Sequence, residues 1–308
     1  MRKSNHLEYL KKGDLVAIVS VAKYILRNDC QFAIRLITRA GLKVFDIRKT
    51  ILSRKGMFSG SDKERVEMLQ SVLDNKNVKA IFFARGGYGS IRIIDKLDFN
   101  KFLINPKWLV GFSDITVFLS HISKNFNTPS IHSPMPINYK ESSKKSVNEL
   151  FNLLFGRKNK IRIKSNKYNV KGEAKGKLVG GNLSILCSIL QSNSFPDYKG
   201  NILLIEDVGE YLYSIDRMVY SLKRSGVFNN ISGLIVGRFT EIKDNKPAFG
   251  QTIKEIIIHA IRDYKFPVCF DFPLGHVKNN TPVILNEEII LNVSSFVELI
   301  YLKKNDSK

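Results

Sequence analysis

Three residues of this chain, in the order Ser113, Glu206 and His276, have the types that hydrolysis by a serine nucleophile requires, although order alone is weak evidence for it. A serine hydroxyl attacks a carbonyl well only when an imidazole takes its proton, and the imidazole needs a carboxylate to fix its tautomer and stabilise its charge. Ser113 lies in KWLVGFSDITVFLSHIS, residues 107–123, where Trp108, Leu109 and Val110 read as a buried strand. The strand stops at Gly111, and Ile115, Phe118, Leu119 and Ile122 then recur at helical spacing. Ser113 is therefore expected at a strand-to-helix corner, with its hydroxyl beside the free N–H groups of a helix N-terminus, as in a nucleophile elbow. GFSD lacks the second glycine of G-x-S-x-G, and Ser or Asp before a helix also serves as an ordinary cap. Glu206 ends the apolar run of NILLIEDVGE, and His276 follows FPVCFDFPLG through a turn at Pro273 and Gly275.

A glycine loop, ARGGYGS at residues 84–90, follows the apolar run VKAIFF. Gly86, Gly87 and Gly89 allow a tight turn whose N–H groups can face an anion or a carbonyl oxygen. A plain glycine-rich turn explains them too, and the spacing is not a dinucleotide fingerprint. A further histidine, His132 in PSIHSPMP, reads as structural rather than as a base. Cys30, Cys187 and Cys269 are odd in number and far apart, so they form neither a zinc pattern nor a disulfide framework, and reduced, mostly buried thiols are expected.

These groups need a scaffold of strand ends. DLVAIVS is a first strand, followed by a helix near residues 28–40 ending at Gly41, then LKVFDI as a second strand. Ser61 and Glu64 form a capping box opening a helix with Val66, Met68, Leu69 and Val72 or Leu73 inward. VKAIFF is continuous in apolar residues, as parallel strands buried on both faces are. Strands alternating with helices predict a parallel α/β sheet with its sites at the carboxyl ends of the strands. The expected division is an α/β domain over 1–136 carrying Ser113, a basic connection over 137–172 with one helix, VNELFNLLF, and a mixed α/β domain over 173–308 carrying Glu206 and His276. In the last, KLVGGNLSILCSILQS reads as a strand, a Gly180–Gly181 turn and a helix, and TPVILNEEIILNVSSFVELIYL as two or three β runs with a closing hairpin.

Composition bounds the rest. With 308 residues, 44% hydrophobic and 25% charged, the chain reads as globular, with ample length for two cores. No apolar run approaches a membrane span, and the start MRKSNHLEYLKKGD lacks the apolar core of a signal peptide, so a cytoplasmic location is expected. The net charge of +21 is spread over nearly every polar segment, densest from Lys140 to Lys171, and reads as a solvated face. No aromatic-rich basic motif points to nucleic acid.

Taken together, ARGGYGS, GFSD, IHSPMP, LVGGNLS, IEDVGEYLYSIDRM, GLIVGRF and the FPLGH turn followed by Asn280 resemble the LD-carboxypeptidase family of serine peptidases, peptidase family S66, from about residue 12 to residue 295. The resemblance implies a Rossmann-like or flavodoxin-like N-terminal domain, a C-terminal domain built partly on β structure, and an active site between them. It implies Ser113 as nucleophile, Glu206 as triad carboxylate and His276 as general base, with backbone N–H groups at Gly86 or Gly87 and at Asp114 as the oxyanion hole. It further implies release of a terminal D-alanine from muropeptides during cytoplasmic cell-wall recycling, without a metal or other cofactor, by a homodimer. The chain departs from the family pattern at Ser133, where the family has glycine, in SVAK, where it has a proline–serine pair, and in TPVILN after His276. Arg85, Tyr88 and Arg238 are the candidate substrate contacts, either arginine being suited to bidentate pairing with a substrate carboxylate. Two alternatives stand beside this reading: an amidase of the microcin-immunity branch that splits peptidyl or aminoacyl nucleotides, and a silent module that binds peptides.

Overall fold

The computed structural model describes residues 7–158 and 160–302. Residues 1–6 of the basic start, Asn159 in the connection and the last six residues of the C-terminal domain, as delimited above, lie outside these.

The first half follows the expected alternation. β1 (Leu15–Val19) leads through the helix Gln31–Arg39 to β2 (Lys43–Val44). A small hairpin, β3 (Arg54–Lys55) and β4 (Phe58–Ser59), precedes the helix Asp62–Asp74. β5 (Val78–Phe83), β6 (Trp108–Gly111) and β7 (Ser130–His132) follow, with the helix Thr116–Phe126 between the last two. LKVFDI is strand only at its start, because Asp46 accepts a hydrogen bond from the Arg48 N–H and caps a short helix, Ile47–Thr50. The Ser61–Glu64 capping box forms as read, with Glu64 accepting from the Ser61 N–H at 2.7 Å and Ser61 accepting from the Glu64 N–H at 3.3 Å. At the other end of that helix a lysine hidden from solvent, Lys107, donates to the carbonyls of Val72, Leu73 and Asn75.

The second half adds β8 (Ile161–Lys164), β9 (Gly172–Asn182), β10 (Ile202–Val208), β11 (Gly233–Thr240), β12 (Val268–Cys269), β13 (Val283–Leu285), β14 (Glu288–Val293) and β15 (Phe296–Tyr301). One sheet runs β13-β7-β6-β5-β1-β2, parallel except for β13. Its five parallel strands have the flavodoxin-like order, which places the topological switch point between β1 and β5. The other sheet runs β12-β11-β10-β9-β14-β15-β8, parallel from β12 to β9 and antiparallel beyond. The molecule is thus a two-domain α/β protein with a mainly parallel N-terminal sheet and a mixed C-terminal one.

Two further details of the reading change. Gly180 and Gly181 do not turn the chain but lie inside β9. A Cβ on Gly180 would come within 2.1 Å of the Leu204 carbonyl oxygen, and one on Gly181 within 2.7 Å of Thr116 Oγ1. The glycines serve close approach, not reversal. Of the three last β runs only β14 and β15 form the hairpin, since β13 pairs with β7 of the N-terminal sheet.

Alternation along the buried strands divides the N-terminal core. Val16, Ile18, Ala80, Phe82, Trp108 and Val110 face one side, packed with Leu150 and Leu154 of the helix Lys144–Leu154. Ala17, Val19, Ile81, Phe83 and Leu109 face the other, in a cluster continuous with Leu178, Leu204 and Ile235 of the second sheet. The helix Thr116–Phe126 lies between, so the nucleophile corner is held by both halves.

Candidate active site

β6 ends at Gly111, Phe112 is extended, and Ser113 opens a single 3₁₀ turn that leads into the helix Thr116–Phe126. Ser113 has φ +61, a left-handed conformation that costs an L-residue about 1–2 kcal/mol. Strain of this kind persists only where the surroundings enforce it, and it gathers at functional sites. The ordinary capping role is not realised, because among the described residues the partly buried Ser113 hydroxyl has no hydrogen-bond partner.

Glu206 and His276 come together. His276 Nδ1 lies 2.9 Å from Glu206 Oε2, with the carboxylate hidden from solvent and the imidazole one-fifth exposed. Two glycines make room: a Cβ on Gly275 would lie 2.8 Å from Glu206 Oε2, and one on Gly237 would lie 3.1 Å from Glu206 Cβ. Asn280 Oδ1 accepts from the Gly275 N–H at 3.1 Å and fixes the turn that presents His276. Burial alone would raise the Glu206 carboxyl, but the imidazoles of His132 and His276 outweigh it and hold the group well below the usual carboxylate range.

His276 reaches the nucleophile corner through Phe112, whose ring centroid is 4.6 Å from its own. No Ser113–His276 hydrogen bond is formed, and contacts of this type commonly tighten only with substrate in place. His132 is fully buried, with Nε2 3.8 Å from Glu206 Oε1 and its ring 5.6 Å from that of Phe112. It packs behind the carboxylate.

The glycine loop closes the other side of the corner. An ideal Cβ on Gly86 would lie 3.1 Å from both Cβ and Oγ of Ser113. Among the described residues the N–H groups of Gly86 and Gly87 have no hydrogen-bond acceptor. The Ser90 N–H and hydroxyl both donate to Asp114 Oδ2, at 2.9 and 2.7 Å, and so tie the loop to the residue after Ser113. Burial raises the Asp114 carboxyl, against these donors. Arg65 supports the loop from beneath, donating from one guanidinium nitrogen to the carbonyls of Val21 and Gly89 and pairing through the other with Asp62.

The three candidate substrate contacts are placed differently. Arg85 donates to the Tyr24 carbonyl at 3.3 Å, Tyr88 is exposed with its ring 5.9 Å from that of Phe58, and Arg238 points to Asp271, which also holds Lys254. The reading of the sequence did not give Arg65, Gly237 or Asn280 a role. Only Asn280, four residues after a histidine in a turn, left a local signal. A cleft of about 500 Å³ lies elsewhere, between the helix Lys144–Leu154 and β8, and contains none of the Ser113, Glu206 or His276 side chains. Chemistry, not cavity size, marks the site. Among the described residues no three His, Cys, Asp or Glu side chains are grouped to hold a metal ion.

A serine at a strained corner, a buried carboxylate–imidazole pair and a glycine loop with free N–H groups form the constellation of a serine hydrolase. The chain belongs to the LD-carboxypeptidase family: residues 16–133 match the model of the LD-carboxypeptidase N-terminal domain and residues 175–291 that of its C-terminal domain. A probable murein peptide carboxypeptidase of Bacillus subtilis is 30% identical over 302 residues, 94% of this chain and 92% of that protein. The murein tetrapeptide carboxypeptidase of Pseudomonas aeruginosa is 25% identical over 277 residues, covering 86% and 89%. Among solved structures, the muramoyltetrapeptide carboxypeptidase from Oxalobacter formigenes superposes with a TM-score of 0.84 at 26% identity, over 94% of this chain and all of that one. The microcin C7 self immunity protein MccF, in complex with aspartyl sulfamoyl adenosine, gives 0.85 at 20% identity over 96% and 98%, a likeness of fold.

Proposed function

We propose that this protein is a serine LD-carboxypeptidase that releases the terminal D-alanine from murein tetrapeptides in the cytoplasm. Ser113 attacks the carbonyl of the scissile bond, and His276 takes its proton and returns it to the leaving amine. Glu206 orients the imidazole and balances its charge. The N–H groups of Gly86 or Gly87 and of Asp114 receive the oxyanion, and water then hydrolyses the acyl-enzyme. The observation that carries the reading is the buried Glu206–His276 pair, 2.9 Å apart and in ring contact with the residue preceding Ser113. The family membership and the names of the relatives support the substrate class. Among the described residues no helix is long and apolar enough to cross a membrane.

Wild type and Ser113→Ala are incubated with an LD-linked tetrapeptide and, separately, with an aminoacyl adenylate analogue, and the products are weighed by mass spectrometry. Loss of terminal D-alanine in wild type alone is expected. Cleavage of the nucleotide conjugate only would move the protein to the microcin-immunity chemistry. Trp108, the one tryptophan of the sequence, is buried in the core with Nε1 donating to the Glu8 carbonyl, so it offers no face for a nucleobase to stack on.

A further inference from the structure

We infer that Lys23 is the group that recognises the terminal carboxylate of the substrate. The inference rests on the carboxypeptidase reading and names its specificity determinant. Lys23 lies just past the carboxyl end of β1, while the glycine loop lies past the carboxyl end of β5. These strands are adjacent and flank the switch point, the crevice in which open α/β sheets of this order bind ligands.

The side chain is directed by packing. The Lys23 N–H donates to the Gly86 carbonyl at 3.3 Å, which fixes the backbone against the loop. A Cβ on Gly87 would lie 2.8 Å from Lys23 Cβ, 3.7 Å from Cγ and 3.4 Å from Cδ, so the lysine stem runs along the face that this glycine leaves open. Gly86, the preceding residue of the loop, is the glycine that approaches Ser113 Oγ. The stem thus lies against the loop that borders the nucleophile, and four flexible carbons give its ammonium group the reach to meet a substrate bound there.

Its charge is also uncommitted. Among the described residues the partly buried Lys23 has no ion pair, whereas Arg238 is held by Asp271, and Arg92, beyond the glycine loop, by Asp62. A carboxypeptidase must distinguish a chain end from an internal bond. An unpaired cation within reach of the bound chain end does so by pairing with a carboxylate that internal residues lack. Lys23 belongs to SVAK, the segment in which this chain departs from its family's pattern.

The test compares kcat/KM for an LD-linked tetrapeptide ending in a free carboxylate with that for its C-terminal amide, in wild type, Lys23→Ala and Lys23→Arg. Wild type is expected to prefer the carboxylate. Lys23→Ala should lose at least about tenfold on the carboxylate through KM, with the amide unchanged, and Lys23→Arg should keep most of the preference. A preference retained in Lys23→Ala, an equal loss on both substrates, or no preference in wild type would each overturn the assignment while leaving the Ser113 chemistry standing. Absence of turnover by wild type would bring down the carboxypeptidase reading and Lys23 with it. Circular dichroism of Lys23→Ala checks that the loop change has not unfolded the chain.

Discussion

Replacing Gly275 by alanine sets a methyl group against the carboxylate that orients His276. The added Cβ lies 2.8 Å from Glu206 Oε2, the atom paired with His276 Nδ1, and 3.1 Å from the Arg238 carbonyl oxygen. Neither neighbour gives way cheaply, because Glu206 is fully buried on β10 and the carbonyl belongs to β11. Gly275 also has φ +113, a conformation that costs an L-residue about 1–2 kcal/mol. Displacing the carboxylate forfeits a hydrogen bond to a charged group, about 1.5–3 kcal/mol. Felt when the imidazolium forms, that is roughly a tenfold to hundredfold fall in kcat. Gly226, at φ +75 with nothing within 4 Å of an added Cβ, supplies the backbone strain without the clash. Both Gly275→Ala and Gly226→Ala should lose at least about 1 kcal/mol in urea unfolding, with only the first losing turnover of an LD-linked tetrapeptide. Equal turnover by the two variants would refute the role given to the glycine.

Glu206 and Asp207 are neighbours on β10 whose carboxyls move in opposite directions. Burial raises both, but the imidazoles bring Glu206 down to about 2, whereas Asp207 stays up at about 6 despite donors at Val208, Asn182 and Ser184. Between 4.5 and about 2 the unfolded chain binds a proton at Glu206 that the folded chain does not, so the stability from this group, present above 4.5, is lost as pH falls. Glu206→Gln should flatten that acid limb in urea midpoints and lower kcat about a thousandfold or more; an unchanged limb would argue against the ionised carboxylate. At Asp207 the folded chain holds the extra proton between 3.8 and about 6, so its contribution falls as pH rises through that window, and Asp207→Asn should remove the slope. Lys107→Met leaves the carbonyls of Val72, Leu73 and Asn75 without their buried donor and should cost about 1–3 kcal/mol in urea unfolding without altering kcat. A loss of kcat with stability unchanged would contradict the purely structural role.

Much of the architecture was legible because it is locally encoded. The capping box at Ser61 and Glu64, the continuous apolar runs of β1 and β5, and the strand-to-helix corner at Ser113 each depend on residues within one or two turns of one another. The misreadings arose where distant chain meets. Gly180 and Gly181 look like a turn until β10 and the helix at Thr116 are brought against them, and TPVILN looks like part of a hairpin until β7 offers it a free edge. Arg65, to which the sequence reading gave no role, is buried where the chain after β1 and the glycine loop close over it.

The sequence by itself determined which chemical groups are present, the order of strands and helices, and the strand-to-helix corner at Ser113, because periodicity, caps and glycine spacing act over short stretches. Only the tertiary structure decided that Glu206 and His276, 70 residues apart, lie within 2.9 Å of each other, and that Lys23 runs along Gly87 without an acidic partner. Distance and charge environment are set by sheet order and by the space that missing side chains at Gly237, Gly275 and Gly87 leave open. Those quantities come into being only when remote segments pack.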